Sequence, residues 1–314
     1  MQKFTSGGQP IAVWGRPDRL PGLLPGEFNE PYSVAVDGYG DVYVLDTRND
    51  RVQKFSPDGG FLRAWGGTGS APGQLADARG IEIDRRGVVY VSDHGNHRIQ
   101  AFTLDGRLRS VWGRNGGDGS PGSGPGEFDQ PRSAATDRAG NVYVVEKRNH
   151  RVQKLTPDGR VVTRWGKGGG AGGGDAAIGS GDGEFNLPYD AAVDSRDRVY
   201  VVDTSNTRVQ RFDSNGAFLD KWGGPGVGPG EFHDPYQVAI DCRDNLYVTD
   251  EENSRVQKFG DPAAPPPRCP PALRLGRAAW SSAARGVVVR VSCDQPCAVN
   301  AGASVRLRGG SHTL

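Results

Sequence analysis

An all-β propeller is the fold class this sequence predicts, and three observations lead there. First, blocks of one length recur: Glu27 to Trp65, Gln74 to Trp112, Glu127 to Trp165 and Glu184 to Trp222, each ending 38 positions after it starts, with the length variation confined to Gly-rich connectors. A fifth block opens at Glu231 and follows the pattern to Phe259. Self-similarity at this period marks a solenoid, propeller or array, whose units bury their apolar faces only against neighbours. Second, within a block the apolar runs are short, rich in Val, Tyr, Phe and Trp, and bounded by Gly, Pro, Asn and Asp, which signals strand, turn and strand. Third, no stretch sustains helical spacing. A repeated four-stranded antiparallel meander is a propeller blade.

In the first full block the strands are Pro31 to Asp37, Val42 to Leu45, Arg51 to Phe55 and Phe61 to Trp65, separated by turns at 38–41, 46–50 and 56–60. Trp14, Trp65, Trp112, Trp165 and Trp222 end fourth strands. A ring there fills the wedge between twisted blades, each buried aromatic contributing roughly 1.5–3 kcal/mol. Asn49, Asn96, Asn149, Asn206 and Asn253 suit the turn before the third strand, because Asn mimics backbone and tolerates left-handed geometry. The Arg two positions later (51, 98, 151, 208, 255) is expected to bind a carboxylate or carbonyl across the blade. Its recurrence in every unit makes it structural rather than catalytic.

These residues resemble the NHL repeat. The shared pattern is G-E-F-x-x-P-x-x-x-A-x-D, then V-Y-V-x-D, then N-x-R-V-Q-K-F and W-G, with the N-H-R signature at Asn96-His97-Arg98 and Asn149-His150-Arg151. The resemblance covers roughly residues 2–259. It implies a propeller, mostly six-bladed in that family, that binds ligands on one face. Departures are Leu155 for the third-strand Phe, Glu146 for the Asp closing strand two, and Gln74-Leu75 for Glu-Phe.

Met1 to Phe4 aligns with the end of a third strand, and the fifth block stops after its third strand. The tally falls three strands short of six four-stranded blades. The expectation is a six-bladed parent, carried here as four complete blades plus two partial ones with an incomplete N-terminus. A five-bladed ring stays open, with Ile11 to Trp14 lying beside Val256 to Phe259. Residues 1–259 are then the propeller, 260–267 a Pro-rich linker of polyproline type, and 268–314 a partial β module. That module holds Cys269, Cys293 and Cys297 and strands at 286–293 and 303–308, and reads as a truncated β-sandwich. Cys293 and Cys297 suit a small disulfide loop in an oxidising setting; the rival, a zinc site with His312, has weak ligand spacing. The setting expected is extracellular, or the cell envelope of a bacterium, with the export signal outside this chain.

Charge is balanced, 38 basic against 37 acidic residues, which disfavours nucleic acid and anionic membranes as partners. No apolar run approaches the ~20 residues of a membrane span. The chain offers no G-x-S-x-G elbow and no axial trio of histidines, and its sole Met is Met1, so no cofactor, catalytic residue or metal ligand is assigned. The turns Asp37 to Asp41 and Asp241 to Asn245 resemble calcium ligands but recur as hairpin chemistry.

What varies between blades is more telling. In a meander, the starts of the inner strands and the turns joining strands two and three share a face. Tyr32, Arg79, Arg132, Tyr189 and Tyr236 are equivalent at the inner-strand starts, followed by Ser33, Gly80, Ser133, Asp190 and Gln237. The facing turns add Arg48, His94, His97, Lys147, Arg148, His150, Thr204, Glu251 and Glu252. Tyr and Arg around a central depression stack on and hydrogen-bond a polar ligand. The competing reading is that they plug the axial channel. The function expected is a monomeric, non-catalytic propeller recognising a protein, peptide or glycan. A metal-dependent lyase or lactone hydrolase is one alternative, and an NHL module of a ubiquitin-ligase-like or RNA-binding protein another.

Overall fold

Each repeated block folds into one antiparallel sheet whose strand order follows the chain. The structure, a computed structural model, describes residues 1–4, 9–16, 20–167, 177–241, 243–260, 273–281, 286–293, 304–307 and 310–313. It divides into two compact units, Met1–Ala264 and Pro265–Leu314. The first unit opens with a strand pair, β1 (Gln2–Phe4) and β2 (Pro10–Val13). Blade 1 follows with β3 (Pro31–Val36), β4 (Val42–Asp46), β5 (Arg51–Phe55) and β6 (Phe61–Gly66). Blade 2 has β7 (Gly80–Ile83), β8 (Val88–Asp93), β9 (Arg98–Thr103) and β10 (Leu108–Trp112). Blade 3 has β11 (Pro131–Thr136), β12 (Val142–Glu146), β13 (Arg151–Leu155) and β14 (Val161–Gly166). Blade 4 has β15 (Pro188–Val193), β16 (Val199–Asp203), β17 (Arg208–Phe212) and β18 (Phe218–Gly223). A three-stranded fifth blade comprises β19 (Pro235–Ile240), β20 (Leu246–Asp250) and β21 (Arg255–Phe259). Short 3-10 turns are the only helical segments among the described residues.

Strand two runs one residue further than the sequence pattern suggests, because Asp46 pairs with Arg51 in the ladder. That pairing starts the network holding each blade. Arg51 Nε donates to Asp46 (2.8 Å), while its Nη1 and Nη2 donate to the carbonyls of Leu23, Leu24 and Glu27. Carboxylate and carbonyls are thus bound together. The same fork recurs at Arg98, Arg151, Arg208 and Arg255. Glu146 reaches its Arg151 at 2.6 Å despite the extra methylene, and Gln74 accepts the Ala71 N–H as Glu27 accepts that of Leu24. Both departures from the repeat keep its chemistry.

The core lies between blades rather than within them. Trp65 packs 6.2 Å from Phe102 of the next blade, and Trp165 lies 5.7 Å from Phe212. Trp14 stacks on Phe55 at 6.3 Å. The β1–β2 pair repeats the outer half of a blade: Gln2 faces Val13 as Gln53 faces Ala64, and the irregularity after Lys3 matches that after Lys54.

In the second unit β22 (Leu273–Ser281) pairs with β23 (Gly286–Cys293), and β24 (Ser304–Leu307) with β25 (Gly310–Thr313). Both expected strands are present, each within a two-stranded sheet. Residues 261–272, which carry the expected linker, and Cys242, Cys269 and Cys297 lie outside the described residues, as does the side chain of Cys293. The Cys293–Cys297 disulfide therefore stays an expectation.

Candidate functional site

Each inner strand is preceded by a non-glycine residue in the left-handed region: Glu30, Asp77, Gln130, Leu187 and Asp234, with φ between 47° and 53°. This sharp turn delivers the chain into the sheet with the second following residue at the rim of an axial cavity. The turns joining strands two and three bond to the same segments, Arg48 N–H to Asn29 O (3.1 Å), Gly95 to Ala76 (2.9 Å) and Lys147 to Gln130 (3.2 Å). Both sets therefore lie on one face.

Tyr32, Arg79, Arg132, Tyr189 and Tyr236 all line one cavity of about 290 Å³, together with the inner strands they open. Arg79 pairs with Asp77 at 2.6 Å and lies 4.8 Å from the centre of the Tyr32 ring. The Arg132 guanidinium sits 3.9 Å over the Tyr189 ring and 5.8 Å from that of Tyr32, and donates to the Tyr189 hydroxyl. It is 7% exposed, and its Nε and Nη1 have no hydrogen-bond acceptor. Tyr189 meets Tyr236 edge-on at 4.3 Å, with the Lys147 ammonium 5.6 Å from the Tyr189 ring. Burial, then the charges of Arg132, Arg148 and Arg79, lower the Lys147 pKa. His94 is buried 3.3 Å from Asp77. Burial and then the Arg132 charge hold it down at about 3, so the imidazole is neutral. Burial pushes the Tyr32 phenol up.

Further along the channel are two carboxyl groups. Glu82, raised by burial to about 7, accepts a hydrogen bond from Thr136 at 2.9 Å. Asp190, raised by burial to about 6, accepts the Val238 N–H at 2.9 Å. Both line the cavity and keep part of their surface open to it while protein surrounds them. Gln237 of the fifth blade donates to Tyr32 O of the first at 3.0 Å, joining the two ends of the row of inner strands.

Four of the sequence candidates stand elsewhere. Exposed Arg48 pairs with Glu30 at 3.0 Å, and exposed Arg148 donates to Gln130 at 3.3 Å. The His97 Nδ1 accepts the Gln130 N–H (3.2 Å), and the His150 Nδ1 accepts the Leu187 N–H (3.0 Å). Each of these imidazoles ties its blade to the next and lies off the cavity. Sequence reasoning passes over Glu82, although a signal exists: Ala35, Ala135, Ala192 and Ala239 occupy the equivalent positions. The calcium-like turns are closed on themselves. Asp37 accepts the N–H groups of Tyr39 and Asp41 and the Tyr43 hydroxyl. Among the described residues, no group of three or more His, Cys, Asp or Glu side chains converges on a point that could hold a metal ion.

The NHL repeat model matches residues 28–55, 75–102 and 128–155. The chain carries NHL repeats. Residues 189–260 match a second family, described as a 6-bladed beta-propeller. NHL repeat-containing protein 3 of Mus musculus is 32% identical over 198 residues, spanning 61% of this chain and 54% of that protein. The Homo sapiens counterpart is 30% identical over the same shares. The NHL chain thus spans about half the length of the curated relatives it matches. Among solved structures, a catalytically inactive virginiamycin B lyase from Staphylococcus aureus, bound to quinupristin, superposes with a TM-score of 0.55. That match covers 93% of this chain and 84% of the lyase at 12% identity, a likeness of fold. No helix among the described residues is long and apolar enough to cross a membrane.

Proposed function

We propose that this NHL propeller is a non-catalytic binding module that takes a protein, peptide or glycan ligand on the face formed by the inner-strand starts and the second-to-third-strand turns. One observation carries the reading. Five equivalent positions, each two residues after a left-handed one, hold three Tyr and two Arg around a single cavity. Scaffold positions repeat from blade to blade, as the Arg51-type fork does, whereas these do not. Tyr and Arg also dominate binding hot spots, since each offers a large stacking surface with a polar tip.

The test is to probe peptide and glycan arrays with the protein and with Tyr189→Ala, after matching their melting temperatures. Ligands retained by the protein and lost at least tenfold by Tyr189→Ala support the face; ligands indifferent to that change place binding elsewhere.

The same reading favours a ring with six positions, the sixth marked by the β1–β2 pair. Support comes from the match of β1–β2 to a blade's outer half and from the family description over residues 189–260. The Gln237–Tyr32 bond supports the five-bladed rival, and Val256→Lys, set against Val209→Lys, separates the two.

A further inference from the structure

We infer that the anchor of this face is the Arg132 guanidinium and that its ligand is a single carboxylate carried on a peptide; the inference rests on the binding-face reading above. A buried cation is normally paired, because removing charge from water is expensive unless an anion and hydrogen bonds compensate. Arg79 obeys this rule through Asp77, two residues before it. Arg132 has Gln130 at the equivalent place, and no carboxylate lies within ion-pair distance of it among the described residues. Its charge meets the Tyr189 and Tyr32 rings and one phenol oxygen, leaving Nε and Nη1 as buried, unmet donors of a residue that lines the cavity. Lys147 adds a second positive charge above the same ring.

A buried guanidinium set against an aromatic face, with two N–H donors unmet, gains most from a planar oxyanion that a small shift of the side chain brings into reach. The fifth-blade rim decides what carries that oxyanion. Glu251 and Glu252 of the fifth blade are exposed there, with Asp234 beside them. A polyanion laid across the mouth would meet this acidic edge, whereas one acidic side chain in an otherwise neutral peptide meets only the basic half. Net charge of +1 supplies no general attraction for anions, so affinity must come from the site.

The probe is the blocked pentapeptide with one central glutamate between alanines, titrated into the full chain while the Arg132 15Nε–1H resonance is followed. A saturable shift at physiological salt is expected, with the glutamine counterpart binding at least about tenfold more weakly. Arg132→Lys should narrow the preference for glutamate, since an ammonium keeps the charge but offers no fork, Arg132→Met should remove most of it, and Lys147→Gln should weaken binding about threefold. Equal binding of both peptides overturns the proposal, as does a tighter fit for a galacturonate oligomer, which makes the carrier a glycan. The wild-type titration decides the question even if a variant fails to fold. Array ligands lost with Tyr189→Ala but kept by Arg132→Met would sink the carboxylate anchor alone; ligands kept by both would sink the face.

Discussion

Two residues show what a single side chain adds to a repeated frame. Arg79 and Arg132 stand at one position in neighbouring blades, yet the residue two before each, Asp77 or Gln130, decides whether the guanidinium is neutralised. That difference was legible in the sequence, because the repeats align the two pairs. What the sequence could not show was the stacking that holds Arg132 buried, which depends on Tyr189 crossing from the next blade. Glu82 is the other case: an acid where four equivalent positions are Ala, bonded across blades to Thr136. Burial raises its pKa to about 7. A carboxyl whose folded pKa exceeds its unfolded value favours folding most while protonated. That contribution is complete below about pH 4.5 and is lost as pH rises through about 7. Stability of the wild type relative to Glu82→Gln should therefore decline by roughly 1–3 kcal/mol between pH 4 and pH 8, read from urea unfolding at each pH. A difference that stays flat would mean the Glu82 carboxyl titrates as it does in water.

At the scale of strands and turns, the sequence was most informative wherever a feature recurs in every blade. The observed strands start and stop within one or two residues of those expected, because their ends are fixed by the Asp–Arg ladder pair and the following Gly. The turn between strands three and four carries a less obvious constraint. Gly216 has φ +87°, and a Cβ there would fall 2.6 Å from the Trp165 ring of the preceding blade. Gly106 and Gly159 sit in the same way beneath Trp65 and Trp112. These contacts join residues 41 to 51 apart, so local pattern announces the turn but not the ring above it. Gly183 separates the two effects: its φ is +79°, but a Cβ would meet only Phe212 at 3.9 Å. Gly183→Ala should cost about 1 kcal/mol, the left-handed penalty alone. Gly216→Ala should cost about 3 kcal/mol or more, since the indole must move as well. Equal losses in denaturant unfolding would show that the Trp does not bear on the turn.

For the propeller unit as a whole, the open question is how its first and fifth blades face each other. Elsewhere the inner-strand residue facing the preceding blade is covered: Ile81 is 6% exposed, Ala134 7%, Ala191 6% and Val238 8%, but Val34 is 53% exposed. The third-strand Val shows the same break, with Val52, Val152 and Val209 at 0% and Val256 at 62%. Apolar surface therefore lies bare on both flanks of the gap, even though Gln237 bridges to Tyr32 near the axis. The sequence led to this point by strand counting, yet counting cannot tell an open sixth position from a five-bladed ring drawn shut. Charge substitution can. If the flanks are bare in solution, Val256→Lys should change stability by less than about 0.5 kcal/mol. Val209→Lys, at the covered equivalent, should cost about 4 kcal/mol or more by burying an unpaired charge. Val256→Lys should also reduce self-association in sedimentation velocity, because unpaired apolar sheet faces recruit other chains. If Val256→Lys instead costs as much as Val209→Lys, the fifth blade is covered by the first, the five-bladed ring holds, and the six-position reading falls.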